Sequence, residues 1–324
     1  MQSSDAKDGP TTKGRGPIAR VMAISELRLI LLIFVGAAVL ASLSPAFMTG
    51  RNLSSVLLGF SFVGIAALGQ VLVIIAGRID LSSGSVMGLS GMVCAIVMTS
   101  GLGMWGGIVA GILTGAACGV FNAVFTVRFG ITSFIVTLGT LQVARGITVG
   151  LTEGNTVTGF PDLFLWFGSG TVFGIPFPLI VLILIGLAIS FALRSTGIGR
   201  EVYAVGGNET AARLAGVAVD RIQVGVFVLS GLLAGLAGVL LTARLGAAVS
   251  NAATGYELTI IASVVIGGAS LAGGAGTALG VVLGALLIAL VNNALVLLTV
   301  PTYWQQTFIG AVIVAAALLD RFRR

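Results

Sequence analysis

The sequence predicts an all-α fold: a polytopic helical membrane bundle of about ten spans, with at least one broken or half-membrane helix. Three observations predict it. The chain is 57% hydrophobic and only 9% charged, with a mean hydropathy of +1.12, whereas soluble domains carry about 25% charged residues. That deficit leaves too little polar surface to cover a water-soluble globule of 324 residues. The apolar residues fall in runs close to the ~20 that cross a bilayer as a helix. The basic residues concentrate in alternate connections between those runs.

Taken in order, residues 1–26 read as a polar cytoplasmic tail with Lys7, Lys13, Arg15 and Arg20, and 27–324 as the transmembrane domain. The tail is too long and too charged for a signal-peptide n-region, so Leu27–Leu43 reads as an uncleaved first span. Further spans are predicted over 53–76, 81–99, 104–127, 131–150, 177–193, 222–242, 258–268, 276–298 and 303–319. With the N-terminus inside, the connections near 78, 128 and 194–221 lie inside, as does the C-terminus. Of the 17 Lys and Arg residues, 14 are then inside, Arg51 and Arg244 are outside, and Arg145 sits near the outer end of a span. This is the positive-inside pattern, and it supports both this orientation and an even number of spans. It also accounts for a pI near 10.1 without nucleic acid.

One run is too short to cross. Leu258–Gly268 has eleven residues, about 16 Å as a helix, and GGASLAGGAG (267–276) follows it. It reads as a half-membrane helix leading into a tight turn. The turn AGRIDLSSGS (76–85) has a similar character. Irregular backbone at membrane depth is tolerated where protein buries it or where it lines a cavity. Arg78, Asp80, Ser82, Gly267, Gly268, Gly273 and Gly274 are therefore candidates for a solute path or its gate. Arg78 and Asp80 are close enough to pair, and Arg145 can snorkel to the outer surface. Gln70, Gln142, Gln223, Asn292, Asn293 and Gln305 lie in or near spans. Such groups either hydrogen-bond between helices or face a polar solute, and Gln70, Asn292 and Asn293 join the path candidates.

Most glycines have a packing role. Gly107, Gly111, Gly115 and Gly119 recur every fourth residue, as do Gly276, Gly280 and Gly284, and Gly231 with Gly235. That step puts small residues on one helix face, where a second helix can approach closely. GLGMWG (101–106) matches a dinucleotide-binding pattern but follows a membrane span instead of a strand. The chain has no His, which removes His-based catalysis, metal sites and proton relays. Cys94 and Cys118 read as buried free thiols. No G-x-x-x-x-G-K-[ST] loop occurs, and no catalytic or metal-ligating cluster is predicted.

The longest internal inside connection, 194–221, contains a short predicted helix over Asn208–Ala215. Asn208 can cap it, Glu209 suits its N-terminal dipole and Gly216 can end it. Ala211, Ala212 and Leu214 would be available for docking to a partner; a solvated connector is the competing reading. Outside, residues 44–52, 151–176 and 243–257 offer a surface to an external partner, with Trp166 and Phe167 as possible interface anchors.

Five stretches together resemble the permease subunits of ribose/xylose/galactoside-type ABC importers. They are IDLSSGSVMGLSG (79–91), TSFIVTLGTLQVARGI (132–147), STGIGREVYAVGGNETAARLAGV (195–217), YELTIIASVVIGGASLAGGAGTALGVVLGA (256–285) and NNALVLLTVPTYWQQTFIGAVIVAAALLD (292–320). Order and spacing extend the resemblance over nearly all of the chain after residue 30. It implies a multi-pass permease of the bacterial inner membrane. Its partners are a second permease copy or a paralogue, a cytoplasmic ATP-binding subunit, and a periplasmic or extracellular sugar-binding protein. It also implies that 195–217 is the coupling loop, with Gly199, Asn208, Glu209, Ala211, Ala212, Leu214 and Gly216 as coupling residues. The chain then needs no cofactor, because ATP is bound by the partner, and no strong sugar site, because the binding protein supplies affinity. One position departs: the family usually reads G-G-I-D-L-S where this chain has Gly77-Arg78-Ile79-Asp80. The competing readings are a branched-chain amino-acid permease of the same class and an ion-coupled transporter. The latter needs an intramembrane carboxylate, for which only Asp80 and Glu257 are available.

Overall fold

The computed structural model describes residues 25–301 together with Trp304, Thr307, Gly310 and Ala311. The first 24 residues of the predicted tail, and nearly all of the predicted last span at 303–319 with Gln305, lie outside the described residues.

Twelve helices are described in chain order: α1 Ser25–Leu43, α2 Gly50–Ile75, α3 Ser83–Val97, α4 Gly103–Ala123, α5 Ser133–Gly150, α6 Asp162–Ser169, α7 Phe177–Ser195, α8 Gly197–Gly207, α9 Glu209–Leu214, α10 Val219–Leu245, α11 Tyr256–Ile266 and α12 Ala278–Leu297. A two-residue hairpin, β1 Thr171–Val172 and β2 Ile175–Pro176, joins α6 to α7. Among the described residues, seven helical stretches are long and apolar enough to cross a membrane. One of them, Ser83–Arg128, is a hairpin of α3 and α4 and not one rod. Gly101 (φ 102°) and Gly103 (φ 70°) reverse the chain, so the GLGMWG glycines serve a turn.

Burial sorts the helices. The most apolar window of α2 is 94% buried and that of α1 only 11%, so α2 is central and α1 presents an apolar flank. Leu31, Phe34, Leu113, Leu184 and Phe191 remain exposed, as a surface facing lipid tails requires. The glycine stripes are where helices meet. A Cβ on Gly115 would strike the backbone of Gly231 and Gly235 of α10, and one on Gly119 would strike Phe227. Gly280 and Gly284 of α12 abut Gly267 and Ser263 in the same way. The short run is a helix of eleven residues, Tyr256–Ile266, followed by the glycine turn.

The connection 194–221 is more ordered than a loop with one helix. It contains α8, whose Gly199, Val202 and Val205 are buried. Its composition hid it, because four of its eleven residues are Gly, a poor helix former. A contact to the bundle compensates: the Gly206 backbone lies against Ile75, Gly77 and Gly274.

Candidate functional site

Helix α9 is built by its caps. The Asn208 side chain accepts from the Ala211 N–H at 2.9 Å. At the other end Gly216 takes φ +85°; its N–H reaches Arg213 O at 3.1 Å, and the Val217 N–H reaches Ala212 O at 3.0 Å. This pair of bonds satisfies the last carbonyls of a helix that ends in a left-handed glycine. Thr196 caps α8 by accepting from the Gly199 N–H at 3.1 Å. Gly199 itself has no room for a side chain against Ala192 and Leu193.

Ala212 corrects an expectation. It is buried in the main core, 5% exposed, because that side of α9 rests on the bundle. It anchors the helix and is not available to a partner. Ala211 is exposed and Leu214 projects at 84% exposure, so the free face of α9 is the Ala211–Leu214 side.

Arg78 corrects a second expectation, since it does not pair with Asp80. Its guanidinium donates to Glu209 Oε2 at 3.0 Å and to Gln223 Oε1 at 3.3 Å. Gln223 Nε2 in turn donates to Glu209 at 3.3 Å. The turn after α2 is thereby tied to the first residue of α9. On the open side of α9, Arg213 bridges Asp220 at 2.7 Å and Glu209 at 3.5 Å. The Asp220 hydrogen bond and charge, with a smaller contribution from Glu209, hold the Arg213 guanidinium above its usual range.

Asp80 points inward and is 3% exposed. Its Oδ1 accepts from the Ser82 N–H at 2.8 Å and the Ser82 hydroxyl at 2.6 Å. Asn122 of α4 donates to that hydroxyl at 2.9 Å, and Thr140 of α5 donates to Asn122 Oδ1 at 2.6 Å. Ser133 and Thr137 of α5 accept from the Ile79 and Leu81 N–H groups at 3.3 and 3.0 Å. Between the two helices the Ile79, Leu81 and Ser82 N–H groups have no backbone partner among the described residues, so these side chains satisfy donors that would otherwise be orphaned in a low-dielectric interior. Gln70 of α2 joins through Ser83 at 3.2 Å, and its Nε2 has no partner among the described residues.

Ser133, Thr137, Thr140 and Asn122 were not among the predicted site residues. A signal existed: 133, 137 and 140 share one face of an otherwise apolar span. The glycine-turn candidates fall at this same end. Gly273 and Gly274 pack on Gly206, and Gly274 N–H donates to Ile75 O at 2.9 Å. Tyr203 of α8 donates to Gly276 O at 2.7 Å. Gly267 and Gly268 close the turn beside α12, Gly267 against Gly280 and Gly268 with φ +88°. Asn292 and Asn293 lie elsewhere, in the last turns of α12 beside a cavity with Asn52. At that end Arg145 is held by Ala252 O at 2.8 Å, and Trp166, Phe167, Phe177 and Trp105 form one aromatic cluster.

Residues 52–317 match the family described as branched-chain amino acid transport system / permease component. The chain belongs to this family of ABC-importer permeases. It is 40% identical to ribose import permease protein RbsC of Escherichia coli (strain K12), over 96% of this chain and 98% of that one. D-allose transport system permease protein AlsC of the same organism is 40% identical over 88% of each chain. L-arabinose ABC transporter permease protein AraH of Azospirillum brasilense is 37% identical over 99% of this chain and 94% of that one. No solved structure matches the chain. The chain is therefore a membrane transport component, and its family implies an ATPase and a binding protein beside it.

Proposed function

We propose that the chain is the permease subunit of a bacterial inner-membrane importer for a monosaccharide or similar small polar solute, driven by a separate ATPase. The observation that carries the coupling half is α9: a capped helix, anchored by Ala212 and by Arg78–Glu209, with Leu214 projecting from its free face. ATP binding closes the ATPase pair and pulls on this helix. Through Arg78 the pull reaches the segment 78–82, and the spans that hold it tilt. The solute half rests on relatives named for ribose, allose and L-arabinose import.

Ten spans with both ends and the 1–26 tail in the cytoplasm fit the charge distribution. The energy comes from ATP in another chain, so this subunit has no catalytic residue, cofactor or ATPase motif of its own. It works beside a second permease copy, and a periplasmic sugar-binding protein delivers the solute. Asp80 is tied into hydroxyl contacts, a poor position for a coupling-ion carboxylate. The family description names a second solute class, a branched-chain amino acid, but the sugar-importer relatives support the sugar reading over it.

The test is uptake by cells carrying the whole importer, offered D-ribose, D-allose, L-arabinose, D-xylose or L-leucine. Import of at least one sugar, insensitive to a proton ionophore and lost without the ATPase, is expected. Import of L-leucine alone would reverse the solute reading. Leu214→Asp should cut uptake at least tenfold and detach the ATPase from purified permease, leaving permease levels normal. Full uptake in that variant would remove α9 from the coupling role.

A further inference from the structure

At the end of the bundle away from Arg78, a cavity of about 600 Å³ lies between α2, α11 and α12. Small-molecule sites range over roughly 300–1,000 Å³. One face of α2 forms its wall: Asn52, Ser55, Gly59 and Val63 all line it. The steps of three and four residues keep them in line, and the eleven steps from Asn52 to Val63 make the wall about 16 Å deep. None of the fifteen lining residues is acidic or basic. The polar groups are amides and hydroxyls, which can donate to and accept from a solute hydroxyl.

These groups divide into a frame and a free set. Asn52 and Asn293 exchange reciprocal amide bonds at 3.1 and 2.6 Å, and Asn52 also donates to Phe47 O at 3.0 Å. That clasp fixes one rim. The Asn292 amide and the Ser55 and Tyr256 hydroxyls make no hydrogen bond among the described residues. The Tyr256 ring and Ile288 add apolar surface for the C–H faces of a solute. A Cβ placed on Gly59 meets nothing within 4 Å among the described residues, so they leave the wall open there.

We propose that this chamber holds the transported solute within the permease, and that it takes an uncharged polyhydroxylated molecule of monosaccharide size. An ionic solute would lose its hydration without gaining a counter-charge. So few free polar groups hold a sugar weakly, which suits a site that must release it. The proposal rests on the sugar reading of the function.

The experiment is uptake of the four labelled sugars in cells carrying the whole importer, with ATPase activity of the purified complex measured alongside. Gly59→Trp adds bulk to the chamber from a position where the Cβ itself has room. Uptake should fall at least tenfold, while stimulation of the ATPase by loaded binding protein persists. Gly36→Trp on α1, where an added Cβ meets nothing within 4 Å among the described residues, should transport normally. Asn292→Leu should lower uptake at least threefold, and Asn292→Gln should restore most of it. If the wild-type chain imports none of the sugars, the sugar reading fails and the chamber with it. Wild-type import that is undiminished in Gly59→Trp, or equally lost in Gly36→Trp, overturns the chamber alone. Full uptake in Asn292→Leu overturns the role of that amide.

Discussion

The Arg78 guanidinium joins two segments 131 residues apart, and its partner begins the helix proposed to dock on the ATPase. The side chains are 28% and 43% exposed, so the pair contributes little to stability, about 0–1 kcal/mol. In the proposed coupling its value lies in transmission. Arg78→Gln or Glu209→Gln should shift thermal unfolding only slightly yet slow uptake several-fold. The swap of Arg78→Glu with Glu209→Arg should recover part of the rate. Loss of stability matching the loss of transport would assign the pair to folding alone. Asp80 is a different case, buried and holding the Ser82 N–H. Asp80→Ala leaves that donor unpaired at a cost of about 1–3 kcal/mol. Asp80→Asn keeps an acceptor and should cost much less, as read from thermal unfolding in detergent. Both acids and bases were visible as candidates, but their partners were not. A charge states that a partner is needed, and only the fold says which group stands within 3 Å.

Among the elements, the membrane helices were the most legible. Their apolar runs and the four-residue glycine steps depend on local length and period, which a sequence displays directly. Val219–Leu245 extends the predicted 222–242 by three residues at each end. Gly115→Leu should force α4 away from Gly231 and Gly235, costing about 1–3 kcal/mol or more. The yield of folded protein should fall sharply. Gly139→Leu, where a Cβ meets nothing within 4 Å, is the control and should be tolerated. Equal yields would mean that the α4–α10 contact is looser than described. Helix α8 was illegible because its residues favour other conformations, and contacts with Ile75 and Gly274 overrule that preference.

For the whole molecule, the contacts gather the turns near 78, 130 and 267–276 with α8 and α9 at one end. Arg51, Arg244 and the aromatic cluster lie toward the other. The predicted orientation makes the first end cytoplasmic. Single cysteines check it in intact cells, after Cys94 and Cys118 are replaced. Phe173→Cys, at a 99% exposed position, should react with a membrane-impermeant maleimide added outside. Leu214→Cys should react only after the membrane is opened. The reverse pattern would invert the topology and remove α9 from the ATPase side.

The sequence by itself determined that the chain is a helical membrane protein, where most spans run, which connections are basic and which faces are small enough to pack. It did so because hydrophobic length, period and charge are local properties of the chain. Tertiary structure decided that Arg78 turns to Glu209 and not to Asp80. It also decided that Ala212 is an anchor, that the glycine turn braces α8, and that Asn292 lines a chamber with Asn52. Each of these depends on residues far apart in the chain being brought within a few ångströms, and the pattern of neighbours along a sequence carries no record of that distance.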